Sequence, residues 1–103
     1  MPKYVLAYHG GGMAPAESAD DVMQQWMNWF GTLGAAVVDG GNPTGASATV
    51  NADGSVTSGG GANPISGYSL VTADSLDAAT TLAKGCPILH AGGTVEVAEA
   101  IDM

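Results

Sequence analysis

Residues 67–100 read GYSLVTADSLDAATTLAKGCPILHAGGTVEVAEA. Gly67–Ala73 is apolar and β-branched enough for a strand. Asp74 or Ser75 then caps a helix, with Asp77 in its first turn. Leu76, Ala79, Thr80 and Ala83 recur at helical spacing. Gly85 ends that helix, and Pro87 prevents its continuation. Thr94–Ala98 alternates as a second strand. A βαβ unit with short joints therefore closes the chain, and it fixes the fold class before anything is known of chemistry.

The first half repeats the plan. Lys3–Tyr8 reads as strand one, followed by the glycine loop Gly10–Gly12. Ser18 with Asp21 three residues on resembles a capping box, and Glu17, Asp20 and Asp21 suit the positive end of a helix dipole. Val22, Trp26, Trp29 and Leu33 mark one helical face with Met23 and Phe30 beside it, a core stripe that includes Trp26. Gly34 stops the helix, and Ala35–Asp39 is strand two. Ala48–Val50 and Ser55–Thr57 flank Asp53-Gly54, the pair preferred in type I′ hairpins. Gly67–Ala73 is strand three and Thr94–Ala98 strand four.

The expected fold is α+β, a ferredoxin-like βαββαβ with an extra small hairpin. Its antiparallel sheet has the order 4-1-3-2, with two helices on one face. Tyr4, Leu6 and Tyr8 oppose Val5 and Ala7 in parity, and Leu70 opposes Val71. The face away from the helices therefore also carries apolar side chains and calls for a two-fold partner packed sheet to sheet.

Bulk properties narrow the function classes. A chain of 103 residues is read as a single domain over 1–103. At that length roughly two thirds of the unfolded surface is buried, enough for a core without metal or disulfides. Ten acidic residues against Lys3 and Lys84 give a formal charge of −8. That balance speaks against nucleic acid, whose phosphates need a basic footprint, and against an anionic membrane surface. The lone Cys86 allows no internal disulfide. With no secretory signal and no apolar span, the expected location is cytoplasmic.

The opening KYVLAYHG, the helix end WFGTLG, the loop VVDGGNP, the hairpin NADGS, SGYSLVTADSLDAA and KGCPILHAGGTVEVAEA occur together in this order. In this the chain resembles the YCII-related proteins, including the branch called DGPF-domain proteins, of the dimeric α+β barrel superfamily. The Asp-Gly-Pro-Phe motif itself is absent, and Ser58–Gly61 stands in that region. The resemblance implies a sheet-to-sheet homodimer with a pocket in the barrel.

The 4-1-3-2 order points to a site at one rim of the sheet. His9 ends strand one, Asp39 ends strand two, and strands three and four begin at the same edge. His9, Asp39, His90, Asn42, Asn63, Ser66 and Tyr68 are thereby expected at one rim. His9 is the candidate acid–base group, since histidine exchanges protons near neutrality, and Asp39 would orient it. His90, Asn42, Asn63, Ser66 and Tyr68 are the candidate ligand-binding residues. The plainer readings are a His9 bonded to a loop carbonyl, an Asp39 bonded to its own turn, and an exposed His90. No His-x-His or Cys pair suggests a metal, and no cofactor is expected. Cys86 follows a helix C-terminus, which disfavours a thiolate. The leading expectation is small-molecule binding at this rim. Its rivals are a proton-transfer or lyase-type enzyme with His9 as base, and a non-catalytic interaction dimer.

Overall fold

The computed structural model describes residues 1–11 and 19–102. Six strands and two α-helices are found among them: β1 Lys3–His9, α1 Ala19–Leu33, β2 Val37–Asp39, β3 Ala48–Val50, β4 Val56–Ser58, β5 Ile65–Thr72, α2 Leu76–Ala83 and β6 Thr94–Ala100. The main sheet has four strands in the order β2-β5-β1-β6, and every neighbouring pair is antiparallel. Counting only these sheet strands, that is the order 4-1-3-2. β3 and β4 form a separate two-stranded hairpin. The expected cap at Ser18, and with it Gly12 and Glu17, falls outside the described residues.

Alternation along β1 sorts the two faces of the sheet. Tyr4, Leu6 and Tyr8 are buried, while Val5, Ala7 and His9 are only half-buried. β5 repeats the pattern, with Ser69 and Val71 buried and Tyr68, Leu70 and Thr72 half-buried. The helices lie on the buried side. There Leu6, Val71, Trp29, Ala79, Ala83, Cys86 and Ile88 form the core with Tyr4, Tyr8 and Ala73.

α2 begins where the sequence says, because the Ser75 hydroxyl accepts from the Ala78 N–H at 3.1 Å. Its far end is closed by a residue from the other helix. The Trp29 indole N–H donates to the Leu82 carbonyl at 3.2 Å, adding a second donor to an acceptor near the helix end that the Gly85 N–H reaches only at 3.4 Å. A Cβ on Gly85 would lie 3.2 Å from that indole. Gly85 thus does more than stop a helix: it leaves room for the ring that joins α1 to α2. Pro87 then opens a short 3-10 turn, Pro87–Ala91, which delivers the chain to β6.

Two local expectations are corrected. Type I′ geometry needs positive φ at both Asp53 and Gly54, and only Gly54 has it, at +87°. Gly54 N–H instead donates to Asn51 O at 2.9 Å and Asn51 N–H to Ser55 O at 2.7 Å. This is a turn followed by a left-handed glycine, and it moves β4 one residue on, to Val56–Ser58. Trp26 also departs from the core stripe assigned to it. It is half-buried, whereas Trp29 is 6% exposed and packs inside.

Candidate functional site

The parity that buries Tyr8 sends its neighbour His9 to the opposite face of the sheet. There the His9 Nδ1 lies 2.9 Å from the Asn63 carbonyl and its Nε2 lies 3.2 Å from Glu96 Oε1. Both partners are acceptors, so a protonated ring donates to both and a neutral ring to only one. His9 ties the loop before β5 to the edge strand β6. Asp39 turns into its own loop, where its Oδ1 accepts from the Gly41 N–H at 2.8 Å. His90, exposed in the last turn of the 3-10 segment, lines a hollow with Asn28, Trp29, Thr32 and Gly85 beside α1. The three residues share a rim in the topology but neither a hydrogen-bonded cluster nor a cavity. Asn63 contributes its carbonyl to His9 and lies outside the cleft described next.

Asn42, Ser66 and Tyr68 are brought together, on the wall of a cleft of about 610 Å³ on the helix side. Val22, Met23, Trp26 and Phe30 of α1 form one wall, and Tyr8, Pro87 and Ile88 another. Gly40, Gly41, Asn42 and Pro43 close the third side against the start of β5. Among the described residues no charged side chain lines it.

The aromatic wall is set by edge-to-face packing. The Tyr8 and Trp26 rings are 4.9 Å apart at 82°, and Trp26 and Trp29 are 5.7 Å apart at 80°. Such contacts add about 0.5–1.5 kcal/mol per pair beyond simple burial and hold Trp26 in one orientation. The far end of Tyr8 is fixed as well. Its hydroxyl donates to Ser69 Oγ at 2.8 Å, and Ser69 donates on to the Gly40 carbonyl at 2.7 Å. Burial raises the Tyr8 phenol above its usual range, so at neutral pH it is a donor. This chain anchors the 40–43 loop through the sheet.

Gly41 lets that loop lie flat on β5. Its φ is +71°, and a Cβ there would come within 1.7 Å of the Tyr68 carbonyl oxygen. Tyr68 N–H donates to Asn42 O at 3.2 Å, and Thr44 N–H to Ser66 O at 3.0 Å. Asn42 Nδ2 reaches the Tyr68 hydroxyl at 3.4 Å.

Ser66 occupies an irregular place in the sheet. Tyr8 pairs with Gly67 and His9 with Ile65, which leaves Ser66 unpaired at a shift in register. A bulge of this kind re-aims a side chain, and bulges concentrate beside functional sites. The Ser66 Oγ is shut off from solvent and has no hydrogen-bond partner.

Cys86 is fully buried, and burial pushes its thiol up to about 11, so it is no nucleophile at neutral pH. Among the described residues no three His, Cys, Asp or Glu side chains gather so as to hold a metal ion, and no helix is long and apolar enough to cross a membrane. No protein-family model, no curated protein and no solved structure matches the chain.

Reasoning from sequence finds Asn42, Ser66 and Tyr68, weighs Trp26 as a stacking surface but prefers it as core, and passes over Tyr8 and Ile88. Trp26 reads as part of the α1 core stripe, and neither Tyr8 nor Ile88 belongs to a catalytic or binding motif. The signal available was parity: Tyr8, not His9, shares a face with the helices.

Proposed function

We propose that this protein binds a small molecule in the cleft between α1 and the 40–43 loop, and that it does so without acting as a proton-transfer enzyme. The observation that carries this reading is the cleft itself, about 610 Å³ with aromatic walls and a few uncharged polar groups, Asn42 and Ser66 on one side and Gln25 on α1. Ligand sites typically have that size and composition. The two acceptors around the His9 ring support a tethering role over a catalytic one. A fragment screen followed by amide and indole NMR shifts tests it. Binding moves the signals of Val22, Trp26, Gly41 and Ile88. Shifts confined to His9, Asn63 and Glu96, or to outer helix surfaces, overturn the placement.

We also read the subunit as ferredoxin-like and expect it to form a homodimer of the dimeric α+β barrel kind, sheet against sheet. Val5, Ala7 and Leu70 support this, for they alternate onto the face that no helix covers. An obligate interface of this type buries on the order of 2,000 Å² or more in total. Sedimentation velocity at micromolar concentration should give a dimer, and Leu70→Asp should give a monomer. A monodisperse wild-type monomer refutes the arrangement.

A further inference from the structure

Resting on the binding reading above, we infer that the cleft selects an uncharged aromatic molecule bearing one hydrogen-bonding group, which is received at the edge formed by Ser66 and Asn42. Three observations lead there.

The first is the absence of charge. No ionised side chain lines the cleft among the described residues, and Lys3 and Lys84, the only cations of the chain, are not part of it. A carboxylate or phosphate entering the cleft would lose its water with no countercharge, inside a protein of formal charge −8. Anions are therefore rejected.

The second is the wall. Trp26 stands edge-on to Tyr8, with Phe30 6.0 Å away on the same helix. Flat apolar rings gain contact against such surfaces without reordering them, because the rings are already held in place.

The third is the placement of polar groups: Ser66 and Asn42 stand together on one edge, apart from Gln25 on the α1 wall. The Ser66 Oγ is buried and unpartnered, an arrangement that costs free energy and is uncommon in native proteins. The backbone of the bulge receives Thr44, at Ser66 O and Ile65 O, but the Ser66 hydroxyl takes no part in this. Asn42 stands at the same side of the cleft, is exposed, and spends only one long hydrogen bond, on Tyr68. Its carbonyl end takes no hydrogen bond among the described residues. A ligand N–H or O–H directed at this edge meets the exposed Asn42 amide first, and it reaches the Ser66 Oγ, closed to solvent in the free protein, once that side chain turns toward the cleft.

Three probes share one ring system and separate these claims. Indole is neutral with an N–H donor, 1-methylindole lacks the donor, and indole-3-acetate adds a negative charge. Affinities are read from NMR titration of the intact chain, following the Trp26 indole and Ile88 methyl signals. Indole is expected to bind about tenfold more tightly than 1-methylindole, the worth of one good hydrogen bond. Indole-3-acetate should give no saturable shift. In the double variant Ser66→Ala, Asn42→Ala the indole preference should fall to about one, with the thermal midpoint unchanged, since neither side chain makes a strong bond within the protein. Equal binding of indole and 1-methylindole to wild type, or retention of the preference in the variant, overturns the polar-edge assignment and leaves the cleft standing. Tight binding of indole-3-acetate overturns the exclusion of anions. If none of the three perturbs Trp26 or Ile88, the binding reading itself fails. Should the variant not fold, the wild-type comparisons decide alone.

Discussion

The body of the sheet and the β3–β4 hairpin hold their shape by opposite means. In the body, β1 lies between β5 and β6, with Leu6 and Val71 fully buried beneath the helices. In the hairpin every strand residue is exposed, Val50 at 71% and Val56 at 66%. Its order comes from short polar contacts. Asn51 Nδ2 reaches Ser55 O, Ser55 Oγ and Thr57 Oγ1, and Asp53 Oδ1 accepts from the Ser55 N–H and hydroxyl. Apolar burial couples distant parts of a chain, whereas side-chain bonds across a turn couple only neighbours. The body should therefore melt as a unit. The hairpin, as two strands with no third, should open alone and earlier.

Four substitutions or conditions sharpen that contrast. Trp29→Ala removes the largest buried ring and the cap on Leu82, and should lower global stability by roughly 3–5 kcal/mol in denaturant unfolding. An unchanged midpoint would mean that the two helices are not coupled through it. Gly41→Ala forces a side chain into the Tyr68 carbonyl at positive φ and should cost roughly 1–3 kcal/mol, with NMR shifts spreading from the 40–43 loop into β5. In the hairpin, Asn51→Ala should leave the global midpoint within about 0.5 kcal/mol while amide exchange at Asn51 and Gly54 accelerates. A global loss comparable to that of Trp29→Ala would erase the distinction between the regions.

The smallest expected effect is one of pH. Hydrogen bonds from the Ser55 hydroxyl and N–H hold the Asp53 carboxyl below its usual value of 3.8. A carboxyl depressed on folding stabilises the turn above that usual value, and the contribution fades as pH falls through the lower folded one. Acid titration should thus loosen Ser55 and Gly54 below pH 3.8. Amide shifts that move first in β1 and β5 would contradict it.

How much of this was legible beforehand follows from the same division. The sheet order could be read because two βαβ units follow one another, the second marked by a cap at Ser75 and a stop at Gly85. The turn type could not, since Asp53-Gly54 permits two geometries and the φ of Asp53 decides between them. The rim around His9 was drawn from strand ends alone. Strand ends give position along the sheet but say nothing of which face a side chain takes. His9 shares the parity of Val5 and Ala7, so it lies across the sheet from the cleft. Ser66 was found for its place at the rim, yet the register shift that isolates it has no mark in the sequence. Trp26 at helical spacing from Trp29 read as core because a wall and a core look alike in one dimension.

The placement of β1 has a temporal side. Its partners in the sheet are β5 and β6, Lys3 facing both Thr72 and Ala100. During synthesis β1 leaves the ribosome before either of these partners, and must wait until residue 65 and beyond have followed. In the interval its apolar run, Tyr4 through Tyr8, is exposed as an unpaired edge. Contacts so distant in sequence also slow folding, because a long loop must close before either pairing is rewarded. For a nascent chain the vulnerable interval is long, and it centres on the strand that the finished sheet protects best.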